Sequence, residues 1–437
     1  MKLSFFRRPR GWLSREDGAT MVIVALAMAA MLGISALVID IGTLNIEKSK
    51  LQNALDASAL AGAQSLPDQS GALSSARSYF TANGYDSADL TVTFPDSETV
   101  RCASSAEVQT TFARVLGISS TSTHELHATA IKTKRSVKSP FDYAVFQGEP
   151  GKLLDMGGGA FTVNGGVFSN GAFRSKPGGT TTIESLETVS NTNPDILSCV
   201  KIGSVSKGVD AVGMVDMQDY FDGLKNTAVS GKTFKTATKS ELADWQKVSP
   251  SFTQSDNYTV NGNFKTKGLC VINGVLIVNG DFTAEGVQIN PGGALIVNGS
   301  ASIAGYGSCL PTFKGALIYV TGNLSVMPGG TGMYFNGGNN IYVGGSMTLG
   351  GSGISATNSN FFCCQNGVLT ITANCSSINM SCVLYAYKGT VKLESRPNIY
   401  GAVIGSTVNS FPAGVVVNYP TDGLGIEITE DAYRLID

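Results

Sequence analysis

Hydrophobic and polar positions fall into three textures along the chain. From Ala19 to Ile39 run 21 residues with no charge, proline or amide side chain. As helix, such a run is about 31 Å long, enough to cross the hydrocarbon core of a bilayer. Asp40 ends the run, but nothing after it breaks a helix. Ile41, Leu44, Leu51, Leu55 and Ala59 recur at helical spacing, with Glu47, Lys48 and Lys50 off that stripe. The pattern predicts one helix, half in lipid and half in water, ended at Leu66-Pro67, with an apolar stripe left to bury. We place the transmembrane helix at 19–41. Ala25, Ala29 and Gly33 fall four apart within it, a small-residue stripe suited to close packing against another membrane helix.

The second texture, to residue 134, mixes periods. Ala72–Tyr79 reads as a helix, Leu90–Phe94 as a strand, Val108–Phe112 as a strand running into a short helix that ends at Gly117, and His124–Ile131 as a strand. Residues 42–134 are therefore expected to form an extracytoplasmic helix plus a small α/β head. The polar stretch 135–140 is the expected linker.

Beyond it the chain is rich in glycine and in short apolar runs. Val-Asn-Gly occurs at 163–165, 260–262, 278–280 and 297–299, the last three 18 and 19 residues apart. Val320-Thr-Gly and Val343-Gly-Gly then follow at steps of 23. A constant period near 20 residues marks a stacked architecture. Within one period, Leu276–Val278, Asp281–Ala284 and Val287–Ile289 are three short strands separated by three corners, one coil of a parallel, right-handed β-helix. Asn261, Asn279 and Asn298 would then stack as an amide ladder. The competing arrangement treats each Asn-Gly as a hairpin turn of an antiparallel sandwich. Two helical stretches within about 210–250 predict an insertion. The domain is expected to fill 141–437, with the charged tail after Gly423 (Glu427, Glu430, Asp431, Arg434) as its cap. The fold class is thus α+β and all-β.

The first texture carries a family resemblance. Arg15-Glu16-x-Gly18 before the span, Val38-Ile39-Asp40-Ile41-Gly42 at its end, and Leu51-Gln52-x-Ala54-x-Asp56-Ala57-x-Ala59-Leu60-Ala61-Gly62-Ala63 resemble the TadG-like N-terminal module of Flp (tight-adherence) pilus assembly proteins. The family motif residues carried over are Gly18, Asp40, Gly42, Leu51, Gln52, Asp56 and Gly62. The resemblance implies a pilin-like head and a bacterial inner-membrane protein whose partners are pilus or secretion assembly proteins. It implies no enzymatic activity. Ile23 stands where type IV prepilins carry a buried glutamate, a departure from polymerising pilins.

Charge sets the expected topology. Lys2, Arg7, Arg8, Arg10 and Arg15 precede the span, so 1–18 is expected to be a cytoplasmic basic tail, with the bulk of the chain outside, in the periplasm or at the cell surface. A cleaved secretory signal is the alternative, but the apolar run is longer than the usual h-region. Net charge is −2, which gives no case for nucleic acid. Eight cysteines in an oxidising compartment permit disulfides, and Cys363, Cys364, Cys375 and Cys382 lie within one coil length. At least one bridge among these four is expected.

Candidate chemistry is thin. Asn226–Thr233 nearly matches a phosphate-binding loop, but Asn226 replaces the first glycine and a helix precedes it. His124 and His127 are three apart in a strand pattern, not four apart on a helix, and the chain has no other histidine. No catalytic residue, cofactor site or metal site is predicted. The expected function is a non-enzymatic single-pass anchor, minor structural component or adhesin of a tight-adherence pilus or related secretion apparatus. The rival is a polysaccharide-binding or polysaccharide-active β-helix surface protein, for which Lys392, Glu394 and Arg396 alternate onto one strand face.

Overall fold

A computed structural model describes residues 16–247, 251–252, 256–305, 310–329, 332–373, 378–409 and 411–436. The basic residues from Lys2 to Arg15 and Cys375 lie outside the described residues. The chain divides into two compact units: the segment to Val137 together with Thr429–Asp437, and Lys138–Ile428.

In the first unit, helix α1 runs unbroken from Glu16 to Gln64 and α2 from Gln69 to Ala82. Asp68 starts α2 by accepting the Ser70 N–H at 3.0 Å, the usual way to satisfy a helix's first free donors. Helix α1 packs on an antiparallel sheet ordered Thr91–Thr93, Thr99–Ser104, Leu126–Ser136, Thr429–Ile436, and α2 packs on α1. Leu51, Leu55, Ala59, Ala76, Phe80, Val100 and Ala130 are fully buried between them. The predicted apolar stripe is therefore buried from Leu51 onward, while Ile41 stays exposed and Leu44 half-buried. Two strands of this sheet escaped the sequence reading. Thr99–Ser104 hides its inward Val100 and Cys102 among polar neighbours. Thr429–Ile436 pairs with Leu126–Ser136, almost 300 residues earlier, in the register Thr429↔Ser136 to Ile436↔Thr129. The expected β-helix boundary at 437 is corrected accordingly to 428. Glu430, Asp431 and Arg434 sit in the head's sheet rather than in a cap, and Asp431 pairs with Lys132 at 2.8 Å. His124 is not in a strand; its φ is 60°, and the strand begins at Leu126.

The second unit is a parallel β-solenoid of about 12 turns. Tyr258–Asn261 pairs with Leu276–Asn279, Val275–Val278 with Ala294–Val297, and then Leu317–Val320, Asn340–Val343, Phe361–Cys364 and Val383–Ala386 follow in register. The corner amides stack as expected: Asn279 donates to Asn261 at 3.0 Å and Asn298 to Asn279 at 2.8 Å. The glycine after each is demanded by the stacking. A Cβ on Gly280, at φ +159°, would lie 2.5 Å from the Gly262 carbonyl carbon one coil away. Inside, Phe313, Phe335 and Phe362 form an aromatic column with centroids 4.9 and 5.0 Å apart.

Spatial order departs from chain order. Val145–Gln147 and Thr162–Ser169 stack onto Pro397–Asn409 and Val416–Asn418, and Thr181–Thr188 and Val200–Lys207 extend that same end. A second amide ladder thereby joins Asn379, Asn398, Asn418 and Asn164. The chain then crosses to the opposite end through the predicted insertion, which holds α3 (Gln218–Val229) and α4 (Lys239–Trp245). Trp245 of α4 packs edge-on against Tyr258 and Phe264 at that end.

Candidate functional site

Three places bear on function, and each is built from residues that the sequence singles out or hides. The first is α1. Its apolar surface from Met21 to Ile41 is exposed, Ala25, Ala29 and Gly33 included. An added Cβ on Gly33 would meet nothing within 4 Å, so this face is open along the helix. The helix is long and apolar enough to cross a membrane. Its hydroxyls are satisfied internally: Ser35 donates to the Met31 carbonyl at 2.8 Å and Thr43 to that of Ile39 at 3.0 Å.

The motif residues of α1 serve the junction between span and head. Gly18 lies in the first turns of the helix and Gly42 is half-buried just past Asp40. The Asp40 carboxylate, itself buried, accepts three successive backbone N–H groups, from Thr111 at 2.8 Å, Phe112 at 3.1 Å and Ala113 at 2.6 Å. Leu51 fills the head core. The Gln52 amide donates to Asp56 at 2.9 Å and to the His127 carbonyl at 3.1 Å, tying the helix to the neighbouring strand. Gly62 lets α2 and Thr99–Ser104 come close, since a Cβ there would sit 3.1 Å from Val100 and 3.3 Å from the Ala72 carbonyl. The long motif is thus a docking code for α1 on its own head. On the polar side, Tyr85 donates to Glu47 at 2.8 Å, and burial together with that carboxylate pushes the phenol up to about 12.

The second place is the outer wall of the solenoid, which the insertion covers. Odd and even positions of successive strands face opposite ways. Ile318, Ile341, Phe362 and Leu384 enter the interior, whereas Tyr319, Tyr342, Phe361 and Tyr385 face outward beneath Met217 and Phe221. Asp222 of α3 accepts from Tyr319 at 2.7 Å and from Lys225 at 2.7 Å, with Lys225 also 4.2 Å above the Tyr319 ring. Lys225 first and Tyr319 second hold the Asp222 carboxyl below its ordinary value. Sequence reading missed this wall. The signal was present: Leu317–Val320, Phe361–Cys364 and Val383–Ala386 are apolar without alternation, the pattern of strands covered on both faces.

This alternation also decides the cysteines. Cys363 lies in the outer cluster, Cys364 and Cys382 in the interior, and all three are free thiols. Cys363 and Cys364 point apart as neighbours along a strand do, and Cys382 stands opposite Asn360 rather than Cys364, so these three do not bridge one another; a bridge through Cys375 falls outside the described residues. Burial raises all three thiols, Cys364 to about 11, so they pack as small hydrophobes.

The third place is a groove of about 560 Å³ beside the amide ladder, lined by Tyr220, Tyr400, Asn360, Asn418 and Asp422 among others. Lys392 and Glu394 lie apart from it and neutralise each other at 2.5 Å. The phosphate-loop look-alike belongs to the end of α3, with Gly231 at φ +69° after the helix, so its amides do not form a strand-to-helix cradle. Among the described residues no three or more His, Cys, Asp or Glu side chains gather as a metal site would require.

Comparison with known proteins agrees on the first of these places. Residues 18–65 match the model of the Flp pilus-assembly TadE/G-like family. No curated protein matches the chain. Among solved structures, the chain is similar to the competence-associated pilin ComZ from Thermus thermophilus, at 12% identity and a TM-score of 0.22 over 79% of this chain and 82% of that one. A score that low carries no argument about fold or function.

Proposed function

We propose that this protein is a non-enzymatic, single-pass component of a tight-adherence pilus or a related secretion apparatus, anchored by α1 in the bacterial inner membrane with its N-terminus inside. The observation that carries the proposal is the fate of the family-matched segment. One unbroken helix leaves an exposed apolar span and ends in the head core, and the matched residues Asp40, Leu51, Gln52 and Gly62 are all spent on fixing that passage. The solenoid is the part displayed outside the cytoplasm to pilus or secretion partners. N-terminal sequencing of the membrane-extracted protein should start at or near Met1. A chain starting at Ala19 would show prepilin-type cleavage and contradict the uncleaved anchor.

Adhesion to a polysaccharide is the second reading, and the groove at Tyr400 supports it. Tyr220 and Tyr400 offer half-exposed rings in the same groove as the exposed carboxylate of Asp422, and flat rings beside a hydrogen-bond acceptor suit a sugar chain. Under this reading, Tyr400→Ala removes attachment to a polysaccharide-coated surface while leaving the solenoid folded. Unchanged attachment, with the fold intact, removes the sugar reading and leaves protein contact as the solenoid's role.

A further inference from the structure

The Asp40 clamp holds one loop of the head in an unusual position. Three consecutive N–H groups, Thr111 to Ala113, converge on a single buried carboxylate of α1. The loop they belong to carries Phe112, Val115 and Ile118, exposed to 42%, 87% and 52%. Three large apolar side chains exposed within seven residues are a costly surface in water. The loop also leans toward the N-terminal side of Asp40. Phe112, Ala113 and Val115 share a slot of about 290 Å³ with Leu32, Gly33, Ala36 and Leu37 of α1. Leu32 precedes Asp40 by eight residues, about 12 Å further into the span at the helical rise.

We propose that the loop Thr111–Ile118 is a second membrane contact, inserted among lipid acyl chains beside α1. Asp40 is its fastening: the carboxylate at the end of the span satisfies the backbone donors that would otherwise enter the bilayer unpaired. Arg114, exposed between the apolar residues, supplies a charge for the lipid phosphates. The occupant follows from the slot's own wall, because the face of α1 that closes it belongs to the bilayer-spanning stretch and is surrounded by hydrocarbon. The consequence is mechanical. A head held by a helix alone can swivel about it, whereas a head held by a helix and an inserted loop keeps one tilt and one rotation against the membrane. This proposal rests on the reading of α1 as a membrane span.

Tryptophan quenching by brominated phosphatidylcholine tests both statements separately. In the full-length protein with Trp12→Phe and Trp245→Phe, single tryptophans replace Val115, Phe112 or, in the span, Met28, and each variant is reconstituted into vesicles with and without bromine. Val115→Trp and Phe112→Trp should lose most of their fluorescence, as Met28→Trp does. Adding Asp40→Asn should relieve quenching at position 115 and leave that at position 28 unchanged. Quenching at 28 with none at 112 or 115 overturns the inserted loop while sparing the anchor. No quenching at any of the three overturns the anchor reading itself.

Discussion

The head and the solenoid are two solutions to the problem of burying strands. In the solenoid nearly every pairing links residues about 20 positions apart, so each coil is a copy of its neighbour and the chain writes the same sentence repeatedly. In the head, α1 meets strands at irregular separations, Gly62 beside Val100 and Gln52 at His127, and the sheet is completed by Thr429–Ile436. The period of one and the absence of period in the other explain why the solenoid can be read from sequence and the head only in part. The difference also predicts unequal responses to damage, since loss of one coil contact is local whereas loss of the closing strand removes an entire sheet edge.

The largest effect should follow from ending the chain at Ile428. That truncation strips an eight-residue strand from Leu126–Ser136. At roughly 0.5–1 kcal/mol per ladder bond this is several kcal/mol, a large share of a small domain's stability. Thermal unfolding followed by circular dichroism should lose the head transition and keep the solenoid transition. Loss of both together would mean that the two units do not fold separately.

Next in size is Phe335→Ala in the aromatic column. Phe335 is almost fully buried between Phe313 and Phe362, and removal of a core phenylalanine costs about 3–5 kcal/mol. Denaturant titration should place the whole loss in the solenoid transition.

A smaller effect belongs to the insertion that covers the outer wall. Tyr319→Phe leaves Asp222 with Lys225 as its remaining partner of the two and should cost about 1 kcal/mol. Its pH dependence is specific. The Asp222 carboxyl is held low in the folded protein, so its contribution is complete above the ordinary carboxylate value near 4 and is lost as pH falls through the lowered folded value. Acid titration of the wild type should loosen the insertion only in that acidic window, and Asp222→Asn should flatten the dependence. The smallest effect is expected from Lys392→Ala with Glu394→Ala, a half-exposed pair on the solenoid surface, where a change within about 0.5 kcal/mol is usual. Surface attachment should be untouched as well.

What the sequence concealed has physical reasons in particular residues. The Val-Asn-Gly corners are legible because stacking demands both an amide and a residue without Cβ at one place in each coil. Asn164 and Asn418 form a rung of the same kind, yet they are 254 residues apart and no period links them. The span, the stripe from Leu51 and the motif to Gly62 are local patterns on one helix. The clamp at Asp40 is not local, since its donors lie 71 to 73 residues on and are backbone groups that any side chain could carry. Proximity of cysteines in sequence does not fix which way each side chain faces; Cys363 and Cys364 are adjacent and lie in different cores.

The most direct test of an autonomous, membrane-anchored head carrying a separable solenoid is a splice. Ser136 and Thr429 are paired neighbours at the end of two antiparallel strands, so Ser136 can be joined to Thr429 through Asn-Gly, a favoured two-residue hairpin turn. The residues from Lys138 to Ile428 are expressed separately with an export signal. The spliced head should stay in the membrane fraction and unfold cooperatively, while the solenoid should be released in soluble, folded form and surface attachment should be lost. A spliced head that leaves the membrane, or a solenoid that remains bound to it alone, would contradict the account.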